Sequence, residues 1–169
     1  MVALIKLFGM KKMSKVVILT LLVAVVAWFF YRSEQAKKAA VENIAEGNAF
    51  LTSNGQKEGV ITTESGLQYQ VLEQGEGTEH PGARSNVTVH YHGTLLNGTV
   101  FDSSVDRNKT ISFGLNQVIP GWTEGVQLMV KGEKTRFFIP ANLAYGNRDA
   151  GKIKPGSTLI FDIELIDFK

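Results

Sequence analysis

The sequence predicts an α+β fold: a twisted antiparallel β-sheet wrapped around one short α-helix, preceded by an N-terminal hydrophobic helix and a helical stalk. Three observations carry this. From Gly66 onward the hydrophobic pattern changes from helical spacing to two-residue alternation. Asn97-Gly98, set between two apolar pairs, is a strong hairpin signal. Within this half of the chain, helical spacing recurs only at Gly121–Met129. A sheet with one apolar face and a helix with one apolar stripe bury both surfaces by packing on each other.

The first element is the run Val16–Tyr31, apolar and aromatic except for Thr20, behind Lys6, Lys11, Lys12 and Lys15, with no acid before Glu34. These 16 residues span about 24 Å as a helix at ~1.5 Å each, short of the ~30 Å hydrocarbon core of a bilayer. Snorkelling by Lys15 and Arg32 and an aromatic belt at Trp28–Tyr31 would absorb the mismatch. Residues 1–32 are therefore expected to be a signal anchor, with the basic leader in the cytoplasm and the carboxyl-terminal domain in the periplasm. A cleaved secretory signal, leaving a periplasmic or secreted protein, is the alternative; Val25-Val26-Ala27 makes a poor cleavage site.

Residues 33–58 form the second segment. Ala36, Ala39, Ala40, Val41, Ile44 and Ala45 give a thin apolar stripe to a helix over Ser33–Leu51. The polar, glycine-bearing run Ser53–Gly59 breaks it and marks the domain boundary. A stalk is the plain expectation, and a self-association helix forming a homodimer the alternative.

Residues 59–169 are the third segment. Leu67, Tyr69 and Val71 oppose Gln68 and Gln70, and Val87, Val89 and Tyr91 oppose Thr88, His90 and His92, the signature of half-buried strands. Two more strands are expected at Thr135–Ile139 and Thr158–Ile166. In the helix at Gly121–Met129, Trp122, Val126 and Met129 share a face.

Composition excludes several functions. A net charge of +2 from 18 basic and 16 acidic residues is too balanced for a phosphate-neutralising surface, so nucleic acid is not an expected partner. Absence of cysteine removes disulfides, cysteine–zinc sites and thiol catalysis. His90 and His92 face the same way on a strand, but His80 is the only other histidine, and no metal site is expected. The sequons at Asn86, Asn97 and Asn108 matter only in a eukaryotic secretory pathway.

Between Val89 and Trp122 the chain carries Tyr91, Phe101-Asp102-Ser103-Ser104 and Val118-Ile119-Pro120-Gly121-Trp122, without a nucleophile–base pair or a metal-ligand cluster. That combination suits a pocket that works by enclosing its substrate. With Ala144-Tyr145-Gly146 and Thr158-Leu159-Ile160-Phe161-Asp162, it resembles the FKBP family of peptidyl-prolyl cis-trans isomerases over roughly residues 59–169. It is similar in particular to the isomerase domain of bacterial macrophage infectivity potentiator-like proteins.

The resemblance implies a cofactor-free isomerase that accelerates X-Pro isomerisation during folding of cell-envelope proteins. It implies Tyr91, Asp102, Tyr145 and Phe161 as catalytic residues and Phe101, Val118, Ile119 and Trp122 as further walls, with Trp122 the base. Arg107 would hold Asp102 together with Tyr91, and Ile111 and Ile153 would form the rim. Partners would be proline-containing unfolded or partly folded polypeptides, and macrolide immunosuppressant-type inhibitors. Asp149 departs from the family pattern, standing where histidine is frequent. Taken alone, Asp102 reads as a turn acid, and Tyr91, Trp122 and Phe161 read as ordinary core. A non-catalytic, membrane-tethered chaperone or binding module using the same groove is the reading from another class.

Overall fold

The structure, a computed structural model, describes residues 15–169, with side chains from residue 20 onward. The basic leader Lys6, Lys11 and Lys12 lies outside the described residues. Helix α1 spans Lys15–Asn54 and is followed by strands β1 (Ile61–Thr62), β2 (Gln68–Glu73), β3 (Asn86–Leu95), β4 (Val100–Ser103) and β5 (Ile111–Gly114). Helix α2 (Pro120–Val126), β6 (Lys134–Ile139) and β7 (Leu159–Phe168) complete the chain, with single 3-10 turns at Leu115–Gln117 and Ala141–Leu143.

The chain divides into two compact units, Met1–Ala36 and Lys37–Lys169. In the first, the described residues are helical, and Leu21, Leu22, Val23, Val25, Val26, Trp28, Phe29, Phe30 and Tyr31 are all more than half exposed. The Arg32 guanidinium lies 5.4 Å from the Trp28 ring centre. Among the described residues no helix is long and apolar enough to cross a membrane. Beyond Thr20 the apolar run is brief before Arg32 and Glu34 charge the helix.

The second unit holds one sheet in the order β1-β2-β6-β7-β3-β4, antiparallel throughout, with β5 pairing with β3 beside that path. Alternation decides which face is buried. Val87, Val89 and Tyr91 on β3 meet Phe137 and Ile139 on β6 and Leu159, Phe161, Ile163 and Leu165 on β7 in one core. Trp122 and Val126 of α2 close that core, and each fully buried side chain of this size contributes about 1.5–3 kcal/mol.

Several boundaries differ from the sequence expectations. Helix α2 is shorter than Gly121–Met129: it starts with Pro120 at its first turn, where a missing N–H costs nothing, and ends at Val126. Its end tightens into i→i+3 bonds, Leu128 N–H to the Gly125 carbonyl and Met129 N–H to that of Val126, so Met129 stays buried without being helical. The hairpin also differs, because only Gly98 has positive φ (+81°) and Asn97 does not. Gly98 N–H donates to the Leu95 carbonyl (2.9 Å) and Leu95 N–H to that of Thr99 (3.0 Å), a three-residue loop closed by a left-handed glycine.

The polar face of β2 is covered rather than solvated. Helix α1 continues to Asn54, past the break expected at Ser53, and its last turns lie over β2 and β6. Phe50 stacks against Phe138 at 5.7 Å. Asn54 Nδ2 donates to Gln68 Oε1 (3.0 Å), and Gln68 Nε2 donates to the Leu51 carbonyl (2.8 Å). Gln68 is thus buried with its amide satisfied. Asn43 Nδ2 ties an earlier turn to the Pro155 carbonyl (2.8 Å). The helical segment from Lys37 to Asn54 belongs to the same compact unit as the sheet.

Candidate active site

Strand β3 is shared along one edge. Its first half pairs with β5 (Val87↔Phe113, Val89↔Ile111) and its second half with β4 (His92↔Ser103, Gly93↔Asp102). The change of partner leaves the loop from Ser104 to Thr110 standing out beside Tyr91. Ser104 fastens this corner, its N–H donating to the Tyr91 carbonyl (2.9 Å) and its Oγ accepting from Tyr91 N–H (2.8 Å). Asp102 and Arg107 are thereby brought to the Tyr91 hydroxyl. That hydroxyl donates to Asp102 Oδ2, Arg107 Nη1 donates to Asp102 Oδ1, and Arg107 Nη2 donates to Tyr91 Oη at 3.0 Å.

The electrostatics of the triangle follow from these bonds. Burial alone pushes the Asp102 carboxyl up, but hydrogen bonds from Tyr91 and Arg107 and the guanidinium charge outweigh it, leaving the group below its ordinary value. Burial, reinforced by donation to Asp102, holds the Tyr91 phenol above its usual range. Asp102 remains a carboxylate and Tyr91 a neutral donor at physiological pH.

Beside this triangle the sheet and α2 leave a cavity of about 720 Å³. Its floor is Trp122, 5% exposed, set edge-on to Tyr91 (5.3 Å) and Phe161 (5.1 Å). Phe101 packs edge-on to Phe161 at 5.2 Å. Val118, Ile119 and Pro120 form one wall, and Ile111 and Tyr145 stand on others. No described residue hydrogen-bonds to the Tyr145 hydroxyl, which leaves a donor at the edge of an apolar space.

Ten of the eleven residues predicted for the site line this cavity: Tyr91, Phe101, Asp102, Ile111, Val118, Ile119, Trp122, Tyr145, Ile153 and Phe161. Arg107 does not line it and touches it through Asp102 and Tyr91. Ile153 is a wall rather than rim: the Ala150↔Ile153 bridge folds its loop inward and leaves it 5% exposed. Asp149, the departure noted in the sequence, is outside the lining and accepts from Lys154 Nζ (3.1 Å). The lining also includes Phe113, Gln117, Pro120, Ala144, Arg148, Ala150 and Lys152, none of them among the eleven predicted site residues. Phe113 had a legible signal, two residues from Ile111 on the same face of a strand. His90 and His92 are bonded to Ser104 and Ser103 instead (3.0 Å each), outside the cavity.

One antiparallel sheet closed by a short helix leaves an aromatic-walled pocket, and that arrangement defines the class of the domain. The chain belongs to the FKBP-type peptidyl-prolyl cis-trans isomerase family, whose carboxyl-terminal domain model matches residues 77–166. A model of the domain amino terminal to such isomerases matches residues 9–71. The chain is 57% identical over 132 residues to the FKBP-type peptidyl-prolyl cis-trans isomerase FkpA of Aeromonas hydrophila, covering 78% of this chain and 49% of that one. It is 50% identical over 139 residues to the outer membrane protein MIP of Legionella longbeachae, covering 82% and 59% respectively. The crystal structure of FkpA from Escherichia coli superposes with a TM-score of 0.85 at 41% identity, covering 94% of this chain and 75% of that one. The chain thus spans about half the length of the curated relatives it matches.

Proposed function

We propose that the protein is a peptidyl-prolyl cis-trans isomerase acting on proline-containing unfolded or partly folded polypeptides of the bacterial cell envelope. The observation that carries this reading is the open cavity of about 720 Å³ floored by Trp122 and walled by Tyr91, Phe101 and Phe161. It has room for a pyrrolidine ring, and no serine, threonine, cysteine or histidine lines it.

Rotation about an X-Pro bond crosses a barrier of ~18–20 kcal/mol and takes tens to hundreds of seconds unaided. At the twisted transition state the amide loses conjugation and becomes less charge-separated, so an apolar enclosure prefers it to the planar form. A preference of about 7 kcal/mol gives roughly a 10⁵-fold acceleration. In this reading Trp122 seats the ring, Phe101 and Phe161 exclude water, and the Tyr145 hydroxyl and the N–H of Ile119 donate to substrate carbonyls. Asp102, held by Tyr91 and Arg107, faces the imide. Residues 59–169 are the isomerase domain, and residues 33–58 are its helical support.

The envelope location is supported by the exposed apolar helix before Arg32 and by the printed name of the Legionella relative, an outer membrane protein. Its finer form is residues 1–32 as export or anchoring segment in the inner membrane, with the domain in the periplasm.

A protease-free assay on an Ala-Leu-Pro-Phe peptide tests the activity. Wild-type chain shortens isomerisation many-fold, and Tyr91→Ala, Asp102→Ala and Phe161→Ala each lose most of that effect while remaining folded by circular dichroism. Loss confined to unfolded variants would remove the site assignment. Aggregation suppression that outlasts the loss of isomerisation in Asp102→Ala would favour a holding module over an enzyme.

A further inference from the structure

The mouth of the cavity carries a charge imbalance that its interior does not. The charged residues in the lining are Asp102, Arg148 and Lys152. Asp102 is matched by Arg107. Arg148 Nε donates to the Tyr145 carbonyl (3.4 Å) and Lys152 Nζ to the Val100 carbonyl (2.9 Å), and neither pairs with a described carboxylate. A carbonyl orients a cation without cancelling its charge. The acid between them, Asp149, is engaged by Lys154 at 3.1 Å. The loop after β4 adds Asp106 and Lys109, an acid and a base with no net effect.

Two cations without an ion-pair partner among the described residues therefore line an apolar cavity, near the two ends of one short loop whose three cations, Arg148, Lys152 and Lys154, outnumber its one acid, Asp149. Low-dielectric walls focus their field on whatever enters, and at physiological salt that field reaches about 8 Å. With the proline ring on the Trp122 floor, the residues on either side of it lie at the mouth. Resting on the isomerase reading, we infer that Arg148 and Lys152 set substrate preference, favouring polypeptides with an acidic residue beside the proline and disfavouring basic ones. Exposed ion pairs support a discrimination of about 1.5- to 5-fold per cation.

Peptides acetyl-Ala-Xaa-Pro-Phe-amide, with Xaa as Glu, Gln or Lys and no other charge, test this on the full chain by exchange NMR. The kcat/KM ratio of the Glu to the Lys peptide is expected to be about 3 to 10 at low salt, two such pairs acting together. It falls toward one at about 1 M NaCl, where the screening length is ~3 Å. R148Q and K152Q each lower the ratio, and the double variant brings it close to one. A wild-type ratio near one, or a ratio that survives in the double variant, overturns the inference while leaving the isomerase reading intact. Failure to catalyse any peptide overturns the isomerase reading instead, and chemical-shift titration with the same peptides then reads the preference as a Kd ratio. Should the double variant fail to fold, the wild-type salt series decides alone.

Discussion

Asp102 is ionised because two donors outweigh its burial, and Tyr91 is neutral because burial and that same carboxylate oppose loss of its proton. The signs fix the pH behaviour. A depressed Asp102 contributes stability that is complete above the unfolded carboxyl value of about 3.9 and is lost as pH falls through the lower folded value. A raised Tyr91 contributes stability that is complete below about 10 and is lost as pH rises through its higher folded value. Between these limits the triangle does not change charge. The kcat/KM of a Leu-Pro peptide is therefore expected to be flat from about pH 5 to 9, because neither group titrates there. A bell centred near neutrality would mean that a histidine or another titrating group takes part, against an enclosure mechanism. The sequence pointed to this triangle through the family resemblance: Tyr91 and Asp102 stood in the quoted motifs, and Arg107 was the partner the resemblance implied for Asp102. Arg148 and Lys152 were not among the predicted site residues, because their place in the lining depends on the fold of the loop around the Ala150↔Ile153 bridge, which no periodicity announces.

At the scale of elements, β3 sets the site through one residue without a side chain. A Cβ on Gly93 would lie 2.7 Å from the Phe101 ring and 2.8 Å from the Phe161 ring. The edge-on pair of these rings exists because nothing projects between them. Gly93→Ala is expected to cost about 1–3 kcal/mol of stability, the usual penalty of overpacking, as read by urea denaturation. It should also lower kcat/KM at least tenfold, by forcing a cavity wall inward. Unchanged activity would show that the position of these rings does not matter. Alternation revealed which faces of β2, β3 and β7 are apolar, but it misjudged Gln68, whose polar face is covered by α1. A thin apolar stripe on residues 33–51 gave too weak a signal for that docking, which rests on amide hydrogen bonds and one aromatic pair. The short β5 escaped notice because four residues, two of them apolar, make a poor pattern.

For the whole molecule, the α+β class and the site were legible because five motifs fall in one order along a chain that turns to two-residue alternation near Gly66 and returns to helical spacing only around Trp122. The course of α1 was not legible, since the pattern before Asn54 mixes an apolar run with alanine-rich, charged turns. The proposed function rests on one physical claim: an apolar enclosure lowers a rotational barrier with no bond made or broken. Two-dimensional exchange NMR of a Leu-Pro tetrapeptide with the full chain tests it most directly, reading binding and rotation in one experiment. The account predicts shifts of the proline resonances together with cis–trans exchange far faster than the tens to hundreds of seconds of the free peptide. Shifts that report a seated proline with exchange no faster than in free solution would contradict it.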